Sequence, residues 1–243
     1  MVVLALVAVG CRTEARVAVD VRADGSGTVT VTVVLDAEAA EQLGDPKAVA
    51  LDDLRQAGWR VQGPAAADGG LRFVALRTFG SPAQLSAVLS EVGGADGVFR
   101  DVSLRIDDGT IDTSYRFRAR LELTGDPAQF GDPDLTAALG GLPLGRTPEE
   151  LAASGATATG AATLVVSVRL PGDAPETNGT VRGGRSQWRY DLAPGSPTSA
   201  TLRADSSVTD TMTLVLFVAG ALLLVAALVV LVVGLVRARR PVP

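Results

Sequence analysis

The chain has 243 residues, a formal net charge of −5 and no histidine. The missing histidine excludes Ser-His-Asp and Cys-His catalytic groups, histidine metal sites and the commonest general base. The acidic charge argues against a nucleic-acid partner, since binders of phosphate backbones are basic.

At the amino terminus, an apolar run from Met1 to Val9 precedes Gly10 and Cys11, which is the only cysteine of the chain. A lone thiol after an apolar segment and a small residue is typical of a bacterial lipoprotein precursor, whose cysteine receives diacylglycerol. We therefore predict a signal peptide, or lipoprotein leader, at residues 1–10 and lipidation of Cys11. A truncated signal peptide or membrane helix with a buried cysteine is the alternative.

The segment that follows Cys11 alternates between strand and helix signals. Period-two alternation and β-branched residues predict strands at 15–21, 28–35, 59–62, 71–79, 98–106 and 111–123. First-turn residues such as Pro46 and Ser81 predict helices at 37–43, 45–56 and 82–92.

Residues 124–160 contain four prolines and many glycines, which indicates a capping insertion or a mobile loop. Strand signals return at 163–170, 185–192 and 199–204, and a short linker at 206–211 follows. Strands outnumber helices and come as hairpins. We therefore predict an extracytoplasmic domain over residues 11–205 of the α+β class, an antiparallel sheet with helices packed on one face.

The carboxyl-terminal segment 212–236 holds 25 residues without a charged side chain. As a helix rising about 1.5 Å per residue, it exceeds a hydrocarbon core of about 30 Å, so we predict a transmembrane helix. Arg237, Arg239 and Arg240 follow it. The positive-inside rule then places the tail 237–243 in the cytoplasm and the domain outside.

Two sets of side chains are candidates for contacts with lipid. Period-two alternation places Arg116, Arg118 and Arg120 on one face of a strand, where guanidinium groups match the phosphate of an anionic headgroup. The alternative is a solvated strand face that is balanced by acids such as Glu122. The candidates for an apolar lining, with core packing as the alternative for each, are Trp59, Phe73, Phe117, Trp188 and Tyr190.

The search for catalytic groups finds only clustered carboxylates. Asp52-Asp53, Asp107-Asp108 and the Asp132/Asp134 pair lie in predicted helices, turns and caps, which explain them without hydrolysis. We therefore predict no catalytic residues, no metal, no cofactor and no enzymatic activity. A carboxylate pair inside a pocket would reopen the question.

The order of several short motifs resembles the LppM family of actinobacterial lipoproteins. After the lone cysteine and a Thr/Val-rich hairpin come Gly58-Trp59, a Pro171 to Gly179 segment, Trp188 to Leu192, Leu202 to Ser206 and the terminal apolar run. The resemblance implies an α+β outer domain with an apolar cavity. It also implies a lipid or glycolipid ligand related to phosphatidylinositol mannosides, and it brings no catalytic residues.

These observations predict a membrane-anchored lipoprotein of the cell envelope whose outer domain binds lipid or glycolipid, with envelope proteins as further partners. The alternative is a non-enzymatic protein-interaction or scaffold module. An apolar internal pocket would favour lipid binding, whereas a packed core with an exposed apolar patch would favour the scaffold.

Overall fold

The structure is a computed structural model of the chain. It describes residues 13–37, 40, 51–67, 69–92, 97–124, 162–172, 175–192 and 197–238. The predictions for the leader 1–10, for Cys11, for nearly all of the insertion 124–160, for the helix at 37–43 and for the end of the tail lie outside these residues.

The larger of two sheets has seven strands in the described part of the chain, in the order β3-β4-β2-β1-β7-β10-β9. Strand β1 pairs in parallel with β7, and every other neighbouring pair is antiparallel. The bounds are β1 (Thr13–Val21), β2 (Gly27–Leu35), β3 (Arg60–Ala67), β4 (Gly70–Phe79), β7 (Ala162–Arg169), β9 (Thr180–Arg182) and β10 (Arg185–Leu192).

The smaller sheet is antiparallel and has the order β5-β6-β11-β8. Its strands are β5 (Phe99–Asp108), β6 (Asp112–Leu123), β8 (Glu176–Thr177) and β11 (Thr198–Thr209). Strand β11 continues to Thr209, which pairs with Asp112 of β6. Most of the predicted linker 206–211 is therefore strand.

Three helices have described bounds, α1 (Leu51–Gln56), α2 (Pro82–Glu91) and α3 (Thr211–Ala238). Helix α2 begins after Ser81, whose hydroxyl accepts a hydrogen bond from the backbone N–H of Gln84, and Pro82 occupies the first turn. Both features favour a helix start at this point. Helix α2 buries Leu85, Val88 and Leu89 in the core.

The two sheets enclose one hydrophobic core. In β6 the side chains of Phe117 and Leu121 are buried, and they belong to the same core cluster as Val19 of β1 and Val166 of β7. The domain is sheet-rich α+β, but the predicted arrangement needs correction. The second sheet covers the larger sheet, helped by α2, and the larger sheet is not purely antiparallel. Strand β7 follows a long intervening segment, so no hairpin turn forces it to run antiparallel to its neighbour β1.

Helix α3 begins directly after Asp210. Across the described residues, however, no helix is both long enough and apolar enough to cross a membrane. The transmembrane helix at 212–236 therefore stays a prediction.

Candidate functional site

A groove with a volume of about 220 Å³ lies on the outer face of the larger sheet, opposite the core. Its charged side chains are Arg16 of β1, Arg182 of β9 and Arg185 of β10. Val165 of β7 also lines it; this side chain is only 5 % exposed and yet does not belong to the core cluster. The groove is therefore separate from the hydrophobic interior.

The floor of the groove is formed by small side chains that the strand register brings into one row. Ala18 of β1 pairs with Thr30 of β2 on one side and with Ser167 of β7 on the other. Directly paired residues point to the same face of a sheet, so these three side chains lie next to one another. Because these side chains are short, they leave open space between the longer arginine side chains.

A two-glycine turn places two of the arginines opposite each other. Gly183 and Gly184 both have positive φ angles, 55° and 70°, which a tight hairpin turn between antiparallel strands requires. Arg182 and Arg185 flank this turn and are paired in the register of β9 and β10. Two like charges therefore stand side by side at one end of the groove.

The acid nearest to these arginines is shared. Arg185 donates from Nη2 to Oδ1 of Asp20 at 2.7 Å, and Nε of Arg169 lies 3.8 Å from the same oxygen. The other terminal nitrogen of Arg185, Nη1, is buried and has no hydrogen-bond partner. Within the described residues Arg182 has no acidic partner. Positive charge therefore exceeds negative charge around the groove.

The same imbalance extends over the whole outer face of the larger sheet. By strand register, the acids on this face are Glu14, Asp20 and Asp191. The arginines on it are Arg16, Arg60, Arg72, Arg169, Arg182, Arg185 and Arg189. Counted over the strands that the structure describes, this face is thus basic although the chain as a whole is acidic.

The three predicted headgroup residues lie on the other side of the molecule, on the outer face of the smaller sheet. The alternation along β6 is the one the sequence predicts, since the aromatic and aliphatic side chains between the arginines are buried. Each arginine is paired with an acid. The closest N···O distances are 2.7 Å for Arg116–Asp107, 2.9 Å for Arg118–Asp205 and 3.1 Å for Arg120–Asp101.

Three of the five predicted lining residues are part of the packed core. Trp59, Phe117 and Trp188 are each 6 % exposed or less. Tyr190 is half-buried and packs against the core, and Phe73 is half-buried on the core side of β4. These five side chains therefore lie on the core side of the larger sheet, whereas the groove lies on its outer side.

The indole N–H groups of both tryptophans are satisfied inside the protein. Trp188 donates from Nε1 to Oδ1 of Asn178 at 3.0 Å, and Trp59 donates from Nε1 to Oε2 of Glu91 at 3.2 Å. The guanidinium of Arg77 lies 6.0 Å from the centre of the Trp59 ring and forms an ion pair with Glu91. Each indole is thus held in place by a polar neighbour.

The only two tyrosines of the chain are in environments that oppose ionisation. Burial raises the pKa of Tyr115 above its ordinary value, with smaller contributions from the charges of Asp108 and Asp24. The Tyr115 hydroxyl donates to the backbone oxygen of Ala23 at 3.0 Å. Burial likewise raises the pKa of Tyr190.

The groove residues were not among the sequence candidates. A signal for two of them exists in Arg182-Gly183-Gly184-Arg185, because a two-glycine loop between strands predicts that the flanking residues face each other. Arg16 and the small residues of the floor carry no such signal, since they meet only through pairing of distant strands. Among the described residues, no group of three or more carboxylate or cysteine side chains is placed to hold a metal ion.

Comparisons with known proteins find one similar solved structure and no family. No family model matches the chain, and no curated protein matches it. The NMR structure of the folded domain of Mycobacterium tuberculosis LppM is similar at 18 % sequence identity and a TM-score of 0.39, covering 84 % of this chain and 94 % of that one. At this TM-score the similarity does not establish a common fold, and membership of the LppM family stays a prediction.

Proposed function

We propose that the chain is a membrane-anchored lipoprotein of the cell envelope, without enzymatic activity, whose outer domain binds a lipid or glycolipid with an anionic headgroup. In this proposal the helix at 212–236 crosses the membrane once, the tail 237–243 is cytoplasmic and Cys11 carries a second, lipid anchor. Phosphatidylinositol mannosides are the ligand class that the sequence resemblance suggests.

The observation that carries the proposal is the direct join between the smaller sheet and helix α3. Strand β11 ends at Thr209, and the backbone N–H of Asp210 still donates to the oxygen of Ile111 at 2.7 Å. Helix α3 begins at the next residue, Thr211. No flexible linker separates sheet from helix, so a membrane around α3 would lie against this end of the domain.

Asp210 fixes the start of the helix. Its carboxylate accepts from the Thr213 hydroxyl at 2.6 Å and from the backbone N–H groups of Thr213 and Met212 at 3.2 Å and 3.0 Å. These hydrogen bonds, led by that of the Thr213 hydroxyl, hold the pKa of Asp210 below its ordinary value. A charged cap of this kind defines where the helix leaves the aqueous domain.

The side chains of α3 support the anchor. Large apolar residues along the helix are exposed, among them Leu216 at 70 % and Leu224 at 74 %. A contiguous apolar surface of this kind needs an apolar surrounding, which a bilayer supplies. The basic outer face of the larger sheet supports the second half of the proposal, since it suits an anionic ligand.

The packed core favours a second candidate function, the protein-interaction or scaffold module. Trp59, Phe117 and Trp188 belong to the packed core, and none of them lines the groove. Lipid binding then has to proceed differently from the cavity that the family resemblance implies. A lipid whose tails stay in the bilayer and whose headgroup alone contacts the domain needs no internal cavity.

The proposal is tested by the lipids that copurify with the full chain in a non-ionic detergent. We expect mass spectrometry to find an anionic lipid or glycolipid enriched several-fold over the lipids on a single-span protein of the same cells without an outer domain. Equal lipid compositions on the two proteins would contradict lipid binding and leave the scaffold module.

The anchors are tested separately from the ligand. Cys11→Ser should abolish incorporation of labelled fatty acid and leave the protein in the membrane through residues 212–236. External protease should remove the domain from cells and spare a tag placed after Pro243. Label that persists on Cys11→Ser would contradict lipidation at Cys11. A tag that is cleaved in intact cells would contradict the cytoplasmic position of the tail 237–243.

A further inference from the structure

We infer that the groove on the outer face of the larger sheet is a binding site for a phosphate group, which Arg182 and Arg185 hold between them. This inference deepens the proposed function and rests on it in one respect, that the phosphate belongs to a lipid headgroup. A soluble phosphate ester offers the same oxygens, so the experiment below separates the two sources.

The first argument is the state of Arg185. Its Nη2 is fixed by Asp20, while its Nη1 is buried without a partner. A buried N–H without an acceptor is unfavourable, and most such groups in folded proteins are satisfied. The side chain lines the groove, and a small rotation of the guanidinium would bring Nη1 to a ligand oxygen there. A guanidinium held by a carboxylate on one side is oriented in advance for an anion on the other.

The second argument is the like-charge pair. Arg182 and Arg185 stand directly opposite each other across two strands, an arrangement that is unfavourable by itself. Asp20 forms ion pairs with Arg185 and Arg169. Arg182 has no acid partner in the described part of the chain. An anion between the two guanidinium groups is attracted by both of them, which offsets their mutual repulsion; the two arginines then act as a clamp on the anion. Phosphate suits the clamp, because its oxygens match two planar forks at once.

The third argument is the shape and polarity of the floor. Ala18, Thr30 and Ser167 leave space between the arginines, and Gln187 and Thr32 add further polar groups at the wall. The volume of about 220 Å³ is several times the roughly 30 Å³ that one water occupies in the liquid, so a phosphate with part of its alcohol fits. Hydroxyl and amide groups can donate to oxygens that the arginines leave free.

The fourth argument is the position of the groove relative to α3. Asp20 and Arg169 pair at the end of β1 and β7 that leads into Pro171 and Gly172. A Cβ on Gly172 would lie 2.6 Å from the backbone oxygen of Ser207, so this turn abuts β11 two residues before its end. The arginine end of the groove is therefore the end of the domain from which α3 departs. A headgroup at the bilayer surface can reach it.

The test uses the full chain in a non-ionic detergent with two lipid probes and one soluble probe. Retention of phosphatidylglycerol is compared with retention of diacylglycerol, which lacks the phosphate, by native mass spectrometry of mixed micelles. Glycerol 3-phosphate is titrated by calorimetry. The variants are Arg182→Gln and the double variant Arg182→Gln/Arg185→Gln. The matched control is Arg105→Gln/Arg203→Gln, which removes two exposed arginines from the smaller sheet.

We expect the wild-type chain to retain phosphatidylglycerol in preference to diacylglycerol. The double groove variant should bind it about tenfold or more weakly, the single variant several-fold, and the control within about twofold of wild type. Arg182 is exposed and outside the core, so the single variant tests the site even where loss of the Arg185–Asp20 pair lowers stability. Raising the salt concentration should weaken wild-type binding more than that of the double variant.

Each other outcome has a defined meaning. If lipid is retained equally by wild type and both groove variants, the phosphate site is wrong and the proposed function survives. If only glycerol 3-phosphate binds and the groove variants abolish it, the site is correct and the lipid source is wrong. If neither phosphate probe binds, both the site and the lipid-binding proposal fall.

Discussion

The arginine row of the smaller sheet and the arginine pair beside the groove of the larger sheet differ in their acid partners. On the smaller sheet, Arg116, Arg118 and Arg120 form a regular row, and each is paired with an acid on the same side of the molecule. On the larger sheet, Arg182 has no acid partner among the described residues, and Arg185 shares one acid with Arg169. Every arginine of the row is therefore neutralised by an acid, whereas Arg182 of the pair is not.

The difference teaches that availability for a ligand depends on the neighbours of a charge and not on its spacing in the sequence. An arginine that is paired with a carboxylate is already largely neutralised, so an added anion gains less attraction from it than from an arginine without an acid partner. An anion that binds to an unpaired arginine beside a like charge weakens no existing ion pair, and it relieves the repulsion between the two positive charges. The four predictions below test this contrast and the core that both faces share.

The largest effect is expected at Phe117, which lies behind the arginine row and is 1 % exposed. Phe117→Ala should lower the free energy of unfolding by about 3–5 kcal/mol, because it removes a buried ring and leaves a cavity. Urea unfolding of the full chain in detergent measures the loss. Phe73→Ala, at a half-buried position, should cost clearly less. A small loss of stability at Phe117 together with loss of lipid retention would instead indicate a ligand lining.

The next effect concerns Asn178, where the chain passes from the smaller sheet to the larger one. Its Oδ1 accepts from Nε1 of Trp188 at 3.0 Å and from the backbone N–H of Arg203 at 2.9 Å, and its Nδ2 donates to the oxygen of Thr201 at 2.7 Å. Asn178→Ala should cost about 2–3 kcal/mol, since it leaves a buried indole N–H without an acceptor.

Asn178→Asp is the matched control for this position. It keeps the acceptor for Trp188 and Arg203 but replaces the donor to Thr201 with a carboxylate oxygen that repels the Thr201 carbonyl, so its loss of stability should be smaller than that of Asn178→Ala if the acceptor contacts dominate. Equal losses for both variants would mean that the amide acts through something other than these acceptor contacts. Gly179 beside it should not tolerate alanine, because a Cβ there would lie 2.5 Å from the backbone oxygen of Gln187.

A smaller effect separates the two arginine faces directly. Arg118→Gln breaks a pair whose side chains are about one-third exposed, so after screening by solvent we expect a loss of about 1 kcal/mol. Arg182→Gln should be neutral or slightly stabilising, by up to about 1 kcal/mol, because it relieves the like-charge pair. Thermal unfolding of both variants measures the difference. A larger loss at Arg182 than at Arg118 would reverse the contrast.

Lipid selectivity provides the second half of that experiment. The triple variant Arg116→Gln/Arg118→Gln/Arg120→Gln removes the predicted headgroup row without touching the groove. If the groove holds the phosphate, this variant should retain phosphatidylglycerol like the wild-type chain. Loss of headgroup selectivity in the triple variant, with selectivity kept in the groove variants, would restore the row as the headgroup site.

The smallest effect is an alkaline titration that reports on both sheets. The two tyrosines, Tyr115 in the smaller sheet and Tyr190 in the larger, both have raised pKa values in the folded state. Between the ordinary value near 10 and the folded values, the unfolded chain has lost protons that the folded chain keeps. Stability is therefore complete below about pH 10 and falls as the pH rises above it.

Absorbance of tyrosinate measures this shift without any substitution. The native curve should lie at higher pH than the curve in guanidinium chloride, and the two curves should merge where the protein unfolds. Coincident curves from the start would mean that neither hydroxyl is protected by burial. Tyr115→Phe then assigns the remaining native signal to Tyr190.

Much of the local structure was predictable because its causes are local. The β1–β2 hairpin follows from alternation and from Asp24, whose pKa is lowered chiefly by the Ser26 hydroxyl that donates to it within the turn. Helix α2 follows from Ser81 and Pro82, and the two faces of β6 follow from period-two alternation. Strands β8 and β9 have only two and three residues, too short to show a period.

The sequence alone determined which side chains alternate, where hairpins turn and where helices begin, because these depend on neighbours a few residues apart. Tertiary structure decided which strands pair, that a second sheet covers the first, and which arginines are neutralised. Arg118 meets Asp205 across 87 positions, and Arg185 meets Asp20 across 165. No local pattern encodes such a meeting. The availability of Arg182 therefore becomes visible only when the strands are in register.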